Sequence, residues 1–390
     1  MFFEEEPVRP NDLSLLKTLL RLKTTNAPED RSEHDRCREL ITREAAERGL
    51  RCLQVDSGFP SLLVGTRPEE RSPHVLLNAH LDVLPGAPEQ FEPRIEDGNL
   101  VARGASDMKF AAPLFLRVFE DLPAELHDRV LIAFTFDEET GGSEGTRHLL
   151  EQFGLRPRAC FMPDGGDNFR IEADEKGVFQ FRIKTKGKSA HGSRPWLGEN
   201  ALDAFFDIYR DLRQRFPSVG PEPWGPTLNL GKLSGGNAAN QVPDAAEALL
   251  DIRFTESSSL DAVRALVLSV VAGRGEVEPV VCGDMFHLDM ESPAGQWMQQ
   301  AARDQLGHDM PIYRSEGASD ARFFTPHQVP VVITKPLCGG HHSAREWINL
   351  ESLEPYYRML LQFARQAALA EQSAAKGGAP EAAVRSVRAA

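Results

Sequence analysis

Five short segments carry residue types that can hold a metal ion and move a proton. Asn78-Ala79-His80-Leu81-Asp82 puts a histidine at the carboxyl end of an apolar run. A zinc-ligating imidazole needs an acceptor for its other N–H, and Asp82 supplies a carboxylate two residues on. Gly104-Ala105-Ser106-Asp107 places a carboxylate in a small-residue turn that enters a helix. Asp137-Glu138-Glu139-Thr140-Gly141-Gly142 follows the strongest apolar run of the chain, and Met162-Pro163-Asp164-Gly165-Gly166 repeats the pattern after another. The fifth, Gly339-Gly340-His341-His342-Ser343-Ala344-Arg345-Glu346-Trp347, returns histidine to the same edge. One acidic turn alone reads as a solvated turn or a helix cap, since Asp favours both. Three of them with histidine, all at strand ends on one side of a sheet, read as a site.

Two histidines, three carboxylates and positions left for water suit two divalent ions, zinc foremost, with cobalt or manganese also compatible. Two dications, three carboxylates and a hydroxide balance in charge. One carboxylate should bridge, because paired metals sit about 3.5–4 Å apart. A metal-bound carboxylate is a poor base, so adjacent Glu138 and Glu139 divide the work: one ligates, the other takes the proton of the water. The remaining histidines (His34, His74, His127, His148, His287, His308 and His327) have no such company and read as surface or satisfied core residues.

Strands alternating with helices must position these segments. Asp12–Leu22 and Ser32–Gly49 read as amphipathic helices, the second with Ser32 as cap and Gly49 near its stop. His74–Ala79 and Val130–Phe136 read as buried strands, Met108–Leu122 and about Ser143–Phe153 as helices. The order predicts a mainly parallel-sheet α/β catalytic domain. From Gly177 the texture changes. Val178–Thr185 alternates with period two, as a half-exposed antiparallel strand does. A helix (Asn200–Phe216), strands (Thr227–Leu233, Ala246–Phe254), a helix (Leu260–Ala272) and a strand (Glu276–Cys282) complete a ferredoxin-like α+β order. The expected layout is residues 1–176 and 287–370 as two parts of the catalytic domain, 177–286 as an inserted domain, and 371–390 as a disordered tail. Val329–Thr334 and Leu353–Leu369 supply the last buried strand and helix.

The chain has 390 residues, 44 Lys+Arg against 58 Asp+Glu, a net charge of −14 and 41% hydrophobic residues. That length exceeds one ordinary core, and that apolar content excludes a largely disordered chain. The acid excess argues against a nucleic-acid partner, which needs clustered Lys/Arg. No apolar run approaches the roughly 18 residues of a spanning helix, so no membrane partner is expected. The acidic start (Phe2-Phe3-Glu4-Glu5-Glu6) and five scattered cysteines without a CxxC pair suit a cytoplasmic protein with free thiols. Cys338 reads as a buried thiol rather than a further ligand. Gly141-Gly142-Ser143-Glu144-Gly145 matches the G-x-S-x-G pattern of a serine hydrolase, but Ser143 lies seven residues beyond Phe136 and no oxyanion segment precedes it. The rivals are thus that serine hydrolase and a metal-free binding protein on the same fold.

Together the motifs resemble the M20 metallopeptidase family, which includes carboxypeptidase G2, dipeptidase V, aminoacylase-1, acetylornithine deacetylase and succinyl-diaminopimelate desuccinylase. The resemblance spans about residues 10–370. It implies that His80 and Asp164 ligate one metal, Glu139 and His342 the other, and that Asp107 bridges. It implies Asp82 as the residue that orients His80 and Glu138 as the general base. Of the two adjacent histidines, the family pattern His-x-x-x-Glu before an aromatic selects His342. Ser189-Ala190-His191-Gly192-Ser193-Arg194-Pro195 looks like the family's lid motif, in which His191 would stabilise the oxyanion in a partner subunit's site. Asn240, Arg253, Gly317 and Arg322 fall in segments that look like substrate-binding elements. The implied protein is a homodimer through the lid, cleaving an amide in a dipeptide-like or N-acyl amino-acid substrate, the deacylase type being the alternative to a peptidase. Asp164, where many deacylases carry Glu, leans toward peptidase. Ala318, where desuccinylases carry a hydroxyl residue, leans away from desuccinylation.

Overall fold

The computed structural model describes residues 8–217 and 224–370. The tail expected at 371–390 lies outside the described residues. The architecture is α/β, with a mainly parallel central sheet. Its six strands lie in the order Arg51–Val55, Ser61–Gly65, Val130–Thr135, Val75–His80, Ala159–Phe161 and Val331–Val332. The last four run parallel, and the first two add antiparallel at one edge. Val75–His80 and Val130–Thr135 are buried along their whole length, as parallel strands covered on both faces should be.

Register decides where the chemistry emerges. His80 lies opposite Thr135, Leu77 opposite Phe161, and Phe161 opposite Val332. Four neighbouring strands therefore end together, and the residues just beyond them (Asp82, Glu138, Glu139, Asp164 and Lys335) leave at one edge. A small antiparallel sheet pairs Trp347 with Val101 and Ile348 with Leu100. That pairing brings the loop carrying His342 beside the loop carrying Asp107.

The inserted part follows β-α-β-β-α-β order. Its sheet runs Thr227–Gly235, Ala245–Phe254, Gly177–Lys186, Glu276–Gly283, antiparallel throughout. In Gly177–Lys186 the side chains of Phe179, Phe181 and Ile183 are buried while Gln180, Arg182 and Lys184 are half-exposed, the period-two pattern of the sequence. These residues belong to a second hydrophobic core, with Phe205, Leu250 and Val267, separate from the core of the central sheet.

Three elements differ from expectation. The 3-10 turn Pro28–Asp30 starts the helical path early, so the helix is Arg31–Glu47 and Ser32 lies inside its first turn rather than capping it. The helix expected at Ser143–Phe153 shortens to Thr146–Glu151, because Glu144 instead donates its backbone N–H to the Asp137 carboxylate at 2.7 Å. The last strand narrows to Val331–Val332; Pro330 still accepts from Cys160 N at 2.9 Å but has no N–H to return.

A buried ion network joins the helices Pro10–Leu20, Ala111–Asp121 and Leu353–Leu369. Arg117 donates to Glu354 at 2.7 and 2.9 Å and to Asp12 at 3.4 Å. Burial pushes the Asp12 carboxyl up from 3.8 to about 6, and the Arg117 charge only partly opposes this. Below 3.8 the group is neutral folded and unfolded; above that the unfolded chain releases a proton the folded chain keeps. Asp12 therefore costs stability as pH rises toward about 6. Relative to Asp12→Asn, the wild type should lose about 2 kcal/mol of unfolding free energy between pH 4 and pH 7. Parallel denaturant titrations of both proteins check this, and a pH-independent difference would contradict it.

Candidate metal centre

Asp107 stands at the middle of the site with its two oxygens facing different histidines. Oδ1 is 3.2 Å from His80 Nε2, and Oδ2 is 3.2 Å from His342 Nε2. On the first side, Asp164 Oδ1 lies 3.8 Å from His80 Nε2, and ligand-type atoms of His80, Glu138 and Asp164 all fall within 4.8 Å of one another. On the second side, Glu139 Oε2 is 3.5 Å from His342 Nε2. His341 Nδ1 also approaches Asp107 Oδ2, at 3.5 Å, and its ring stacks on that of His342. Both histidines of the pair therefore reach the site.

Buried carboxylates hold the loops that carry these residues. Asp82 is fully buried and accepts from Asn26 Nδ2 at 2.8 Å, from Glu139 N at 3.1 Å and from Glu138 N at 3.3 Å. Its backbone carbonyl meets His80 Nδ1 at 3.1 Å, while its carboxylate stays 3.5 Å from that nitrogen. His80 Nδ1 thus lies nearer the Asp82 main chain than its carboxylate, and the carboxylate also fixes the turn carrying Glu138 and Glu139. An acceptor on Nδ1 leaves Nε2 directed at the site. Glu346, also buried, accepts from Ser106 N at 2.8 Å, Asp107 N at 3.0 Å, Gly104 N at 3.0 Å and Arg103 Nη1 at 3.1 Å. One carboxylate from the His342 loop thereby shapes the whole Asp107 loop.

Four carboxylates converge here, and the protein balances them with its own cations. Burial disfavours the charged form of His80, yet its hydrogen bonds to Asp107 and Asp164 outweigh that and hold its pKa well above the usual range. His342 is pushed up to about 10 by Asp107 and Glu139. Burial, and then the Asp164 charge, hold Glu138 well above the usual carboxylate range. Such a donor set of imidazoles and carboxylates, crowded with negative charge and bringing protons as stand-in cations, fits divalent metal ions.

Lys335 is the residue that sequence reasoning passed over. It is buried, and its Nζ lies 3.6 Å from Asp107 Oδ1 and 3.8 Å from Asp164 Oδ1, the same two oxygens that face His80. The signal was present: Lys335 follows Val332 by three residues as Asp164 follows its partner Phe161. An ammonium there opposes a dication on the same oxygens. Lys335→Met should tighten zinc at the His80 side by about tenfold or more, since a unit charge a few Å away is worth a kcal/mol or more even at high dielectric. Competition titration with a chromogenic chelator reads this out. Weaker binding instead would mean that the ammonium holds the two carboxylates in place.

The site opens into a cavity of about 380 Å³ whose lining includes Asp107, Glu138, Asp164, Arg253, Gly317 and Lys335. Its lining also includes Glu172, Glu175 and Tyr313, which the sequence reading did not single out. Arg253 is held by Asp251 at 2.9 and 3.1 Å. Arg322 lines an adjoining cleft rather than this cavity, and both its terminal nitrogens donate to backbone carbonyls. His191 and Asn240 are exposed on the inserted domain and do not line the cavity of their own chain. His191 bonds Ser193 Oγ at 2.8 Å and bridges to Gln241. Cys338 is buried, and burial pushes its thiol up to about 12. Ser143 is exposed in a turn.

Comparison with known proteins points the same way. Residues 76–366 match the sequence profile described as Peptidase family M20/M25/M40. A succinyl-diaminopimelate desuccinylase from Azoarcus sp. (strain BH72) is 26% identical over 356 residues, covering 85% of this chain and 92% of the relative. That of Delftia acidovorans (strain DSM 14801 / SPH-1) is 28% identical over 389 residues, covering 92% and 99%. Among solved structures, a tripeptidase from Staphylococcus aureus superposes with a TM-score of 0.73 at 20% identity, covering 93% of this chain and 100% of that one. An M20 family metallo-carboxypeptidase from Sulfolobus solfataricus gives 0.73 at 17%, covering 92% and 98%. At these identities the structural likeness speaks for the fold.

Proposed function

Because the chain belongs to peptidase family M20/M25/M40 and is a metallohydrolase acting on amide C–N bonds, we propose that it removes the acyl group from an N-acyl amino acid at a two-metal site, with Glu138 as general base. The observation that carries this reading is Asp107, whose two oxygens face two separate histidines as a bridging ligand would. His80 and Asp164 would hold one ion with Asp107, and Glu139 and His342 the other. When bound, the ions polarise the scissile carbonyl and lower the pKa of water toward about 7.

The remaining work belongs to the chain's own groups. Glu138 takes the proton of the attacking water as the O–C bond forms. It then gives that proton to the amide nitrogen as the C–N bond breaks, leaving a carboxylate and an amine. Arg253 receives a substrate carboxylate, and the Gly317 loop lines the same cavity. His191 serves the cavity of a second copy, docked through the inserted sheet, where it would bind the developing oxyanion. The outer edge of Thr227–Gly235 ends that sheet and offers the surface for such pairing.

The deacylase choice rests on relatives named as desuccinylases. The peptidase reading keeps one specific support, Asp164 in place of Glu. A hydrolysis screen on zinc- or cobalt-loaded protein separates them, setting dipeptides against N-acetyl, N-succinyl and N-carbamoyl amino acids. Acyl amino acids should exceed dipeptides in kcat/KM. The reverse order would favour the peptidase, and no hydrolysis with metal bound would leave a binding protein.

A further inference from the structure

Arg322 sits where three segments meet, in a cleft that adjoins the cavity through Glu138 and Arg253 but outside the cavity's own lining. It lies on the 3-10 turn Asp320–Phe323 and is only 4% exposed. Nη1 donates to the Ser319 carbonyl at 2.5 Å and Nη2 to the Gly141 carbonyl at 2.8 Å. Gly141 closes the turn that carries Glu138, its own N–H bonding the Glu138 carbonyl at 2.8 Å. On the other side Arg322 packs against Gly283, the last residue of the inserted sheet. A Cβ at Gly283 would overlap Arg322 Cδ, so glycine there is a condition of the arginine's placement. Gly283 pairs with Val178, so the arginine touches the root of the inserted sheet where the chain both enters and leaves it. The cleft beside it, about 270 Å³, is lined by Glu138 and Gly141 from the base turn and by Val178 and Val281 from the inserted sheet.

We propose that Arg322 is a positioning residue that fixes the Glu138 turn against the root of the inserted sheet, through the Gly141 carbonyl on one side and Gly283 on the other. The placement of the base and the placement of the inserted domain are then one coupled setting. This rests on the reading of Glu138 as general base. We read Arg322 this way rather than as a substrate contact because Nη1 and Nη2 each already donate to a carbonyl of the same chain, while Nε is buried within the joint. The neighbouring carboxylate of Asp320, 3.8 Å from Nη2, balances its charge without competing for those bonds.

The test compares Arg322→Met, Arg322→Lys, Gly283→Ala and the double variant Gly283→Ala/Arg322→Met in metal-loaded, full-length protein. The substrate is whichever member of the screen above is hydrolysed fastest, and metal content and melting temperature are recorded alongside. Arg322→Met should lower kcat by about 10- to 100-fold, the cost of a base displaced by a fraction of an ångström to one, with KM within about twofold and both metals retained. Arg322→Lys should recover part of the loss, since an ammonium still reaches one carbonyl. Gly283→Ala should lower kcat in the same way, and the double variant should be no worse than the poorer single. Should Arg322→Met not fold, Gly283→Ala and Arg322→Lys carry the comparison. A raised KM with kcat kept would restore Arg322 to the substrate and overturn the proposal. So would losses that add in the double variant, or a lowered melting temperature with kcat unchanged. Glu138→Gln is the control: if it keeps turnover, the reading of the base fails, whereas its loss beside a normal Arg322→Met sinks the positioning role alone.

Discussion

Replacing Glu138 by glutamine should lower kcat by roughly 10²–10⁴, the range that a positioned general base supplies. The substitution preserves shape, and the hydrogen bond that fixes the turn runs from the Glu138 backbone to Asp82, not from its side chain. Metal content should stay at the wild-type value, because Glu139, not Glu138, is assigned as the ligand. KM should move little. This pairing of lost turnover with retained metal separates a base from a ligand. Near-normal turnover with metal bound would remove Glu138 from the mechanism, and lost metal would exchange the roles of the two neighbouring glutamates.

The second large effect is on folding. Glu346→Ala should destabilise the metal-free protein by about 3–5 kcal/mol, the cost of leaving a buried charge without its partner. Arg103 would keep an unpaired buried guanidinium, and the N–H groups of Gly104, Ser106 and Asp107 would lose their acceptor. Because those groups shape the Asp107 loop, metal affinity should fall in the same variant. Denaturant unfolding in excess chelator measures the first effect and a zinc titration the second. Unchanged stability would mean that water replaces the carboxylate at no cost.

Much of this arrangement is legible in the chain, for identifiable reasons. Val75–His80 and Val130–Thr135 are largely apolar runs, and reading both as parallel strands groups the residues just after each run from the chain alone; the observed pairing of His80 with Thr135 agrees. The inserted sheet announces itself by alternation in Val178–Thr185. Lys335 was missed because the strand preceding it was read as leading onward to His342, although a parallel neighbour must end beside Asp164. The hold of Glu346 on the Asp107 loop was invisible in the residues, since it depends on the pairing of Trp347 with Val101 across a long sequence separation. Arg322 falls in a motif that looks like a substrate-binding element; its packing against Gly283, which the residues alone do not reveal, supports the proposed positioning role instead. Short strands such as Ile312–Ser315, bounded by no periodic pattern, also escaped, because pairing with Ile171–Glu175 rather than local preference makes them.

The central claim is that one carboxylate, Asp107, is shared between two metal ions. Anomalous diffraction at the zinc edge, on crystals of zinc-loaded protein, tests it most directly. Two peaks should appear, about 3.5–4 Å apart as in other two-metal sites, one bounded by His80, Asp107 and Asp164 and the other by Asp107, Glu139 and His342. A single peak away from Asp107, or no peak at saturating zinc, would contradict it.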